Sequence, residues 1–232
     1  MLDPLFSAFH NIGIEGSEMS NTLVYTLDDK IYINLTNNCT NRCVFCLRQD
    51  KSDVCGQEMW LDNEVFGADV VIEQLENTIK TQLKAGKEHS LNEIIFCGYG
   101  EPLLKLELLK EVAVYIRQTY PQTKIRVNSN GHANYVYKRN VAEELKPLID
   151  DISISLNASN AEEYDELSQP NIPNAFDAVK EFIKSCSDAG ISTTASVVEN
   201  YKGRHLDLET CEQIATSLGA KFRVREWITN GY

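Results

Sequence analysis

Apolar and polar positions change period repeatedly along the chain. Val24 to Leu27, the pair Asp28-Asp29 and Ile31 to Thr36 read as a hairpin leading into a strand. Asp62 to Lys84 carries Val65, Ala68, Ile72, Leu75 and Ile79 at helical spacing, which predicts a helix with those residues on one face. Glu93 to Cys97 is a short apolar strand, and Leu103 to Tyr120 a helix stopped by Pro121. Lys124 to Ser129 reads as a strand, Asn140 to Leu148 as a short helix, and Ile152 to Leu156 as a strand in which polar and apolar residues alternate. Asn174 to Ala189 is a helix with Phe176, Val179, Phe182, Ile183 and Cys186 in register, ended by Gly190. Ile191 to Val198 is a β-branched strand. Asp207 to Leu218 is a helix with a capping Asp and a terminal Gly219, and Phe222 to Trp227 is a final strand.

Strand and helix alternate about six times, which implies a parallel sheet with right-handed crossovers. A complete eight-fold barrel takes about 250 residues. Six units in 232 residues predict an α/β fold, either an open, partial (βα)6 barrel or a doubly wound sheet. In both, reactive groups gather at the C-terminal ends of the strands. No linker, repeat or internal boundary interrupts the pattern. One domain is expected over residues 23–232, behind an N-terminal arm at 1–22 with neither motif nor strong pattern.

Charge narrows the range of partners. The chain has 22 basic and 34 acidic residues, a net of −12, which repels phosphate backbones and disfavours nucleic acid. No apolar run is long enough for a membrane span, and the N-terminus lacks the basic and apolar regions of a signal peptide. Seven cysteines, an odd number, argue against a disulfide framework and for a reducing, cytoplasmic compartment.

Three of those cysteines, Cys39, Cys43 and Cys46, lie within eight residues directly after the first long strand. A chance CxxxCxxC is expected only roughly 0.006 times in such a chain. A closed zinc site would want a fourth ligand, and Cys55 and His89 lack partner spacing. Three thiolates instead suit a four-iron cubane that leaves one iron open to a small molecule.

With Phe45 at the aromatic position of CxxxCxΦC, this segment resembles the radical S-adenosylmethionine (SAM) superfamily. The resemblance implies a partial (βα)6 barrel open on one side. It also implies a [4Fe–4S] cluster held by Cys39, Cys43 and Cys46, SAM chelated to the open iron, and a reducing flavodoxin or ferredoxin as partner. One electron would cleave the sulfonium to a 5′-deoxyadenosyl radical. Cys97-Gly98-Tyr99-Gly100-Glu101-Pro102 is similar to the family's Gly-Gly-Glu-Pro segment, which meets the SAM ammonium, with Tyr99 in place of the first glycine. Asn128-Ser129-Asn130-Gly131 resembles the polar segment near the ribose, an Asn-Gly turn being the plain alternative. Ser153, Ser155 and Asn157 share one strand face, an interior one in a barrel, where SAM would partner them.

From about Leu23 to Ile228 the chain resembles the TatD-associated radical SAM subgroup, through NNCTNRCVFCLR, FCGYGEPLL, VNSNGHAN, ISISLNA and FRVREW. That resemblance implies a queuine lyase, which cuts the cyclopentenediol from queuine and releases 7-aminomethyl-7-deazaguanine. A carboxylate suits the donor edge of a deazaguanine, which makes Glu199 and Glu226 candidates, with Asn34 or Thr36 adding a polar contact. Arg223 and Arg225 share a face and are candidates for the SAM carboxylate, or for an outward ion-paired face. His132 lies near the proposed ribose site. A deazaguanine-forming synthase and a glycyl-radical activase with a protein substrate are the alternatives.

Overall fold

The computed structural model describes residues 21–227, so the expected arm lies, up to residue 20, outside the described residues. β1 (Val24–Leu27) and β2 (Lys30–Ile33) pair antiparallel through a two-residue turn, Asp28 and Asp29 both taking positive φ. Short aspartates tolerate that conformation, and the turn's twist matches the hairpin. A second small hairpin follows, β3 (Asp53–Val54) and β4 (Gln57–Glu58). Next come α1 (Ala68–Lys84), β5 (Glu93–Phe96) and α2 (Leu106–Thr119). These lead to β6 (Lys124–Ser129), the short helices α3 (Ala133–Tyr137) and α4 (Ala142–Leu145), and β7 (Asp151–Ser155). α5 (Ala161–Ser168), α6 (Ala175–Asp188), β8 (Ser192–Glu199), α7 (Leu208–Ser217) and β9 (Lys221–Glu226) complete the chain.

The main sheet runs β1-β2-β5-β6-β7-β8-β9, and every pairing after β1-β2 is parallel. Each parallel strand lies beside its predecessor, so no switch point exists, and a doubly wound sheet is excluded. β1 and β9 stand at opposite edges and do not pair with each other, which leaves a six-fold partial barrel open on one side.

The alternation along each strand separates two environments. Ile31, Ile33, Ile94, Phe96, Ile125, Val127, Ile152, Ile154, Ala195 and Val197 are buried in the main core, with Val71, Leu75 and Ile79 of α1, Val112 and Ile116 of α2, and Phe182 and Ile183 of α6. Burying each large side chain contributes about 1.5–3 kcal/mol. The opposite face carries Asn128 level with Ser153, and Ser155 level with Ser196 and Arg223.

Several boundaries differ from the periodicity. α1 begins at Ala68 instead of Asp62, and Val65, expected on its buried face, is 87% exposed. The segment before α1 is held instead by polar bonds from Asn21, Asn37 and Glu64. The expected Asn140–Leu148 helix is a single regular turn, and α3, α5 and the β3-β4 hairpin were not anticipated.

Candidate active site

Three loops at the C-terminal ends of β2, β5 and β6 build the site. The first carries Cys39, Cys43 and Cys46, all partly exposed. Its backbone pairs with the end of α5 and the residues after it: Arg42 N donates to Ser168 O (2.9 Å), Val44 N to Leu167 O (2.9 Å) and Asn171 N to Thr40 O (2.9 Å). Glu64 braces its start, accepting from Thr36 Oγ1 (2.5 Å) and Asn37 N (3.0 Å). Asn34 Nδ2 donates to Met59 O (2.8 Å). Thr36 and the Asn34 amide nitrogen, expected among the substrate contacts, serve the protein's own loops, while Asn34 Oδ1 is buried without a protein partner. Burial pushes the Cys43 thiol up to about 12, with the neighbouring Cys46 and Cys39 adding to the shift.

Backbone proximity binds the second loop to the first. Glu101 N donates to Asn38 O (2.8 Å), and a Cβ on Gly100 would lie 2.3 Å from Thr36 O and 2.6 Å from Asn38 O. Only glycine permits that approach. A Cβ on Gly98 would likewise meet Asn34 Oδ1 at 2.0 Å. Tyr99 turns its ring away into a cluster with Tyr25, Val54 and Met59, edge-on to Trp60, and its hydroxyl donates to Lys51 O (2.8 Å). The departure from the family's glycine thus anchors the small hairpin, which covers this side of the barrel.

Glu101 joins the second loop to the third. Its buried carboxylate accepts from Asn130 N (2.6 Å), Ser129 Oγ (2.9 Å) and Leu103 N (3.0 Å). Burial raises its pKa to about 7 against those three donors, which lower it. Asn130 Nδ2 continues the chain to Thr40 Oγ1 (2.7 Å) and Cys39 Sγ (3.5 Å). His132, expected near the ribose, lies buried behind the cysteine loop, between Thr40 (2.8 Å) and Tyr164 (3.1 Å), and Tyr164 Oη accepts from Asn41 Nδ2 (3.1 Å). Burial lowers its pKa to about 4, so it is neutral. Periodicity missed Thr40 and Tyr164. Tyr164 belongs to α5, whose Glu-rich sequence gives little apolar pattern.

Inside the barrel, Asn157 at the end of β7 takes positive φ, is 1% exposed, and donates through Nδ2 to Ser168 Oγ (3.2 Å). Arg223 Nη2 donates to Ser153 Oγ (3.1 Å). The Cys97 thiol is raised by burial and hydrogen-bonded by the Asn128 side chain. The acceptors Asn128 Oδ1 and Asn157 Oδ1 are buried and have no protein partner.

Two expected site residues fall elsewhere. Glu199 shares a strand face with the core residues Ala195 and Val197, and its carboxylate accepts from Leu206 N (3.1 Å) and lies 2.8 Å from His205 Nδ1. Glu226 is exposed and accepts from Asn200 Nδ2 (2.7 Å). Both tie down the β8-α7 loop and edge strand. The strand period of two sends them outward because Arg223 and Arg225 occupy the inward parity.

The donor set fits an iron–sulfur cluster better than a zinc ion. A single zinc needs sulfurs converging at about 2.3 Å, and no three His, Cys, Asp or Glu side chains gather so closely among the described residues. A cubane takes each thiolate on a separate iron. The proposed fourth zinc ligands are also remote in kind: Cys55 is exposed at the tip of the β3-β4 hairpin, and His89 pairs with Asp29 (3.5 Å). The orphaned Asn128 and Asn157 acceptors suit a polar nucleoside such as SAM beside the cluster.

Comparison with known proteins agrees with this geometry. The chain is similar to a radical SAM methyltransferase from Sphaerobacter thermophilus (TM-score 0.52, 16% identity, 88% of this chain and 68% of that one). It is similar to SuiB from Streptococcus suis bound to precursor peptide SuiA (TM-score 0.58, 16% identity, 85% and 39%). It is also similar to the FeFe-hydrogenase maturase HydG from Carboxydothermus hydrogenoformans (TM-score 0.55, 21% identity, 84% and 43%). At these identities the likeness shows the fold, and the chain spans about two fifths of each of the last two proteins. No curated protein sequence matches. No helix among the described residues is long and apolar enough to cross a membrane. The Radical SAM superfamily model matches residues 33–218, a span holding all three thiols and all three interlocked loops, and the chain belongs to the radical SAM superfamily.

Proposed function

We propose that Cys39, Cys43 and Cys46 hold the [4Fe–4S] cluster of this family, and that SAM lies between the Gly98–Glu101 loop and the inward polar face of β6, β7 and β9. The observation that carries this reading is the Cys39–Asn130–Glu101 chain of hydrogen bonds, which fixes the thiol loop against the two loops that would face SAM. When bound, the pair supplies a 5′-deoxyadenosyl radical that abstracts hydrogen from a substrate. The protein's part is to bind, orient and exclude water. Asn128 and Asn157 offer acceptors for hydroxyl or N–H donors, Ser155 adds a hydroxyl, and Arg223 a guanidinium for a carboxylate.

For the substrate we infer a small molecule, with queuine cleavage to 7-aminomethyl-7-deazaguanine as the specific assignment. The subgroup strings support it. Anaerobic incubation with SAM and dithionite tests the chemistry, and 5′-deoxyadenosine is expected. Added queuine is expected to raise that output and yield the aminomethyl deazaguanine. Unchanged output with no such product removes the lyase assignment and leaves the cluster reading intact.

A further inference from the structure

Arg48 follows the third cysteine by two residues, in a short 3-10 turn spanning Leu47–Gln49. Its guanidinium donates through Nη1 to Asn37 O (2.9 Å) and Tyr99 O (3.2 Å), and through Nη2 to Asn41 O (3.1 Å). The first and last carbonyls flank Cys39 in sequence, two residues to either side. The middle one belongs to the residue just before Gly100-Glu101. One planar group therefore spans the thiol loop and the loop after β5.

Arg48 lines a polar cavity of about 250 Å³ together with Cys39. Three backbone acceptors in fixed positions need the forked donor of a guanidinium, which a lysine ammonium cannot reproduce from one point.

We propose that Arg48 is a positioning residue for SAM cleavage, with two separable effects. Its fork sets the spacing between the cluster loop and the SAM-facing loop. Its positive charge beside Cys39 stabilises the more negative, reduced form of the cluster. The inference rests on the cofactor placement above.

The test uses the full-length chain, reconstituted anaerobically, as wild type, Arg48→Lys and Arg48→Gln. Iron and sulfide per chain are measured first, then the cluster's midpoint potential, then SAM affinity from the change in the reduced cluster's electron paramagnetic resonance signal. Both variants are expected to assemble a cluster, because the three thiols remain. Arg48→Lys keeps the charge, so its potential stays near wild type, while its SAM affinity falls about tenfold or more with the loss of the fork. Arg48→Gln loses both, so its potential also moves more negative. SAM affinity within twofold of wild type in Arg48→Lys overturns the positioning role, and an unmoved potential in Arg48→Gln overturns the electrostatic one. If Arg48→Gln does not fold, a more negative potential in Arg48→Lys, despite its retained charge, refutes the electrostatic role. A wild type without cluster refutes the underlying cofactor reading instead.

Discussion

Replacing Glu101 by alanine separates a link between loops from a buried charge. The substitution orphans two backbone N–H groups, of Asn130 and Leu103, at about 1–3 kcal/mol each, while the Ser129 hydroxyl can turn to another partner. Against this stands relief from the carboxylate, whose folded pKa is about 7 against an ordinary value of 4.5. An acid raised on folding binds more protons folded than unfolded. Its contribution is therefore unfavourable, and the penalty grows as pH climbs from 4.5 and levels off above 7. It amounts to about 2 kcal/mol at pH 6 and about 3 kcal/mol at pH 8.5. Wild-type apoprotein should accordingly lose about 1 kcal/mol from this group over that interval, and Glu101→Ala should not. Whatever the net cost of the lost hydrogen bonds, the variant gains relative to wild type on the alkaline side. Urea unfolding at pH 6 and pH 8.5 reads the difference as a change of about 0.3–0.5 M in relative midpoint. Parallel pH trends in the two proteins would refute the argument, because the carboxylate would then not be paying for burial.

Cys43→Ala should fold yet lose the brown cluster absorbance after reconstitution, since a corner ligand is gone; a full complement of iron would contradict the ligand assignment. Gly100→Ala places a methyl against Thr36 O and Asn38 O, so it should lower SAM affinity at least tenfold in equilibrium binding; wild-type affinity would count against the close approach. Glu199→Gln should cost about 1–2 kcal/mol in thermal unfolding through the Leu206 and His205 contacts while leaving deoxyadenosine formation within twofold of wild type; a tenfold drop in formation would restore Glu199 to the site.

Much of the architecture is legible in the strands. Ile125-Val127 and Ile152-Ile154 alternate with polar residues because one face meets helices and the other the barrel interior, whereas Ile94-Ile95-Phe96 is apolar and buried throughout. The thiol loop is legible because three cysteines at that spacing have few other uses. What escaped has physical causes. Val65 continues the helical spacing of α1, yet Glu64 beside it is drawn to Thr36 and Asn37, which holds that stretch out of the helix. Tyr164 and the α5 helix hide in an acidic segment whose worth comes from contacts with Asn41 and His132, over a hundred residues apart from Asn41 in sequence. Glu199 looked suited to a base edge by type alone. Its orientation is set by β8 parity, which needs the register to Ala195 and Val197.

The interlock of Cys39 and Thr40 with Asn130 spans about ninety positions of chain. During vectorial synthesis every sulfur donor therefore leaves the ribosome long before the strand that steadies it. A nascent fragment ending ahead of Lys124 would own all three thiols without the Asn130 amide that steadies Cys39 and Thr40. Metal loading should thus be a late event in maturation, following collapse of the sheet, and shortened products should emerge colourless.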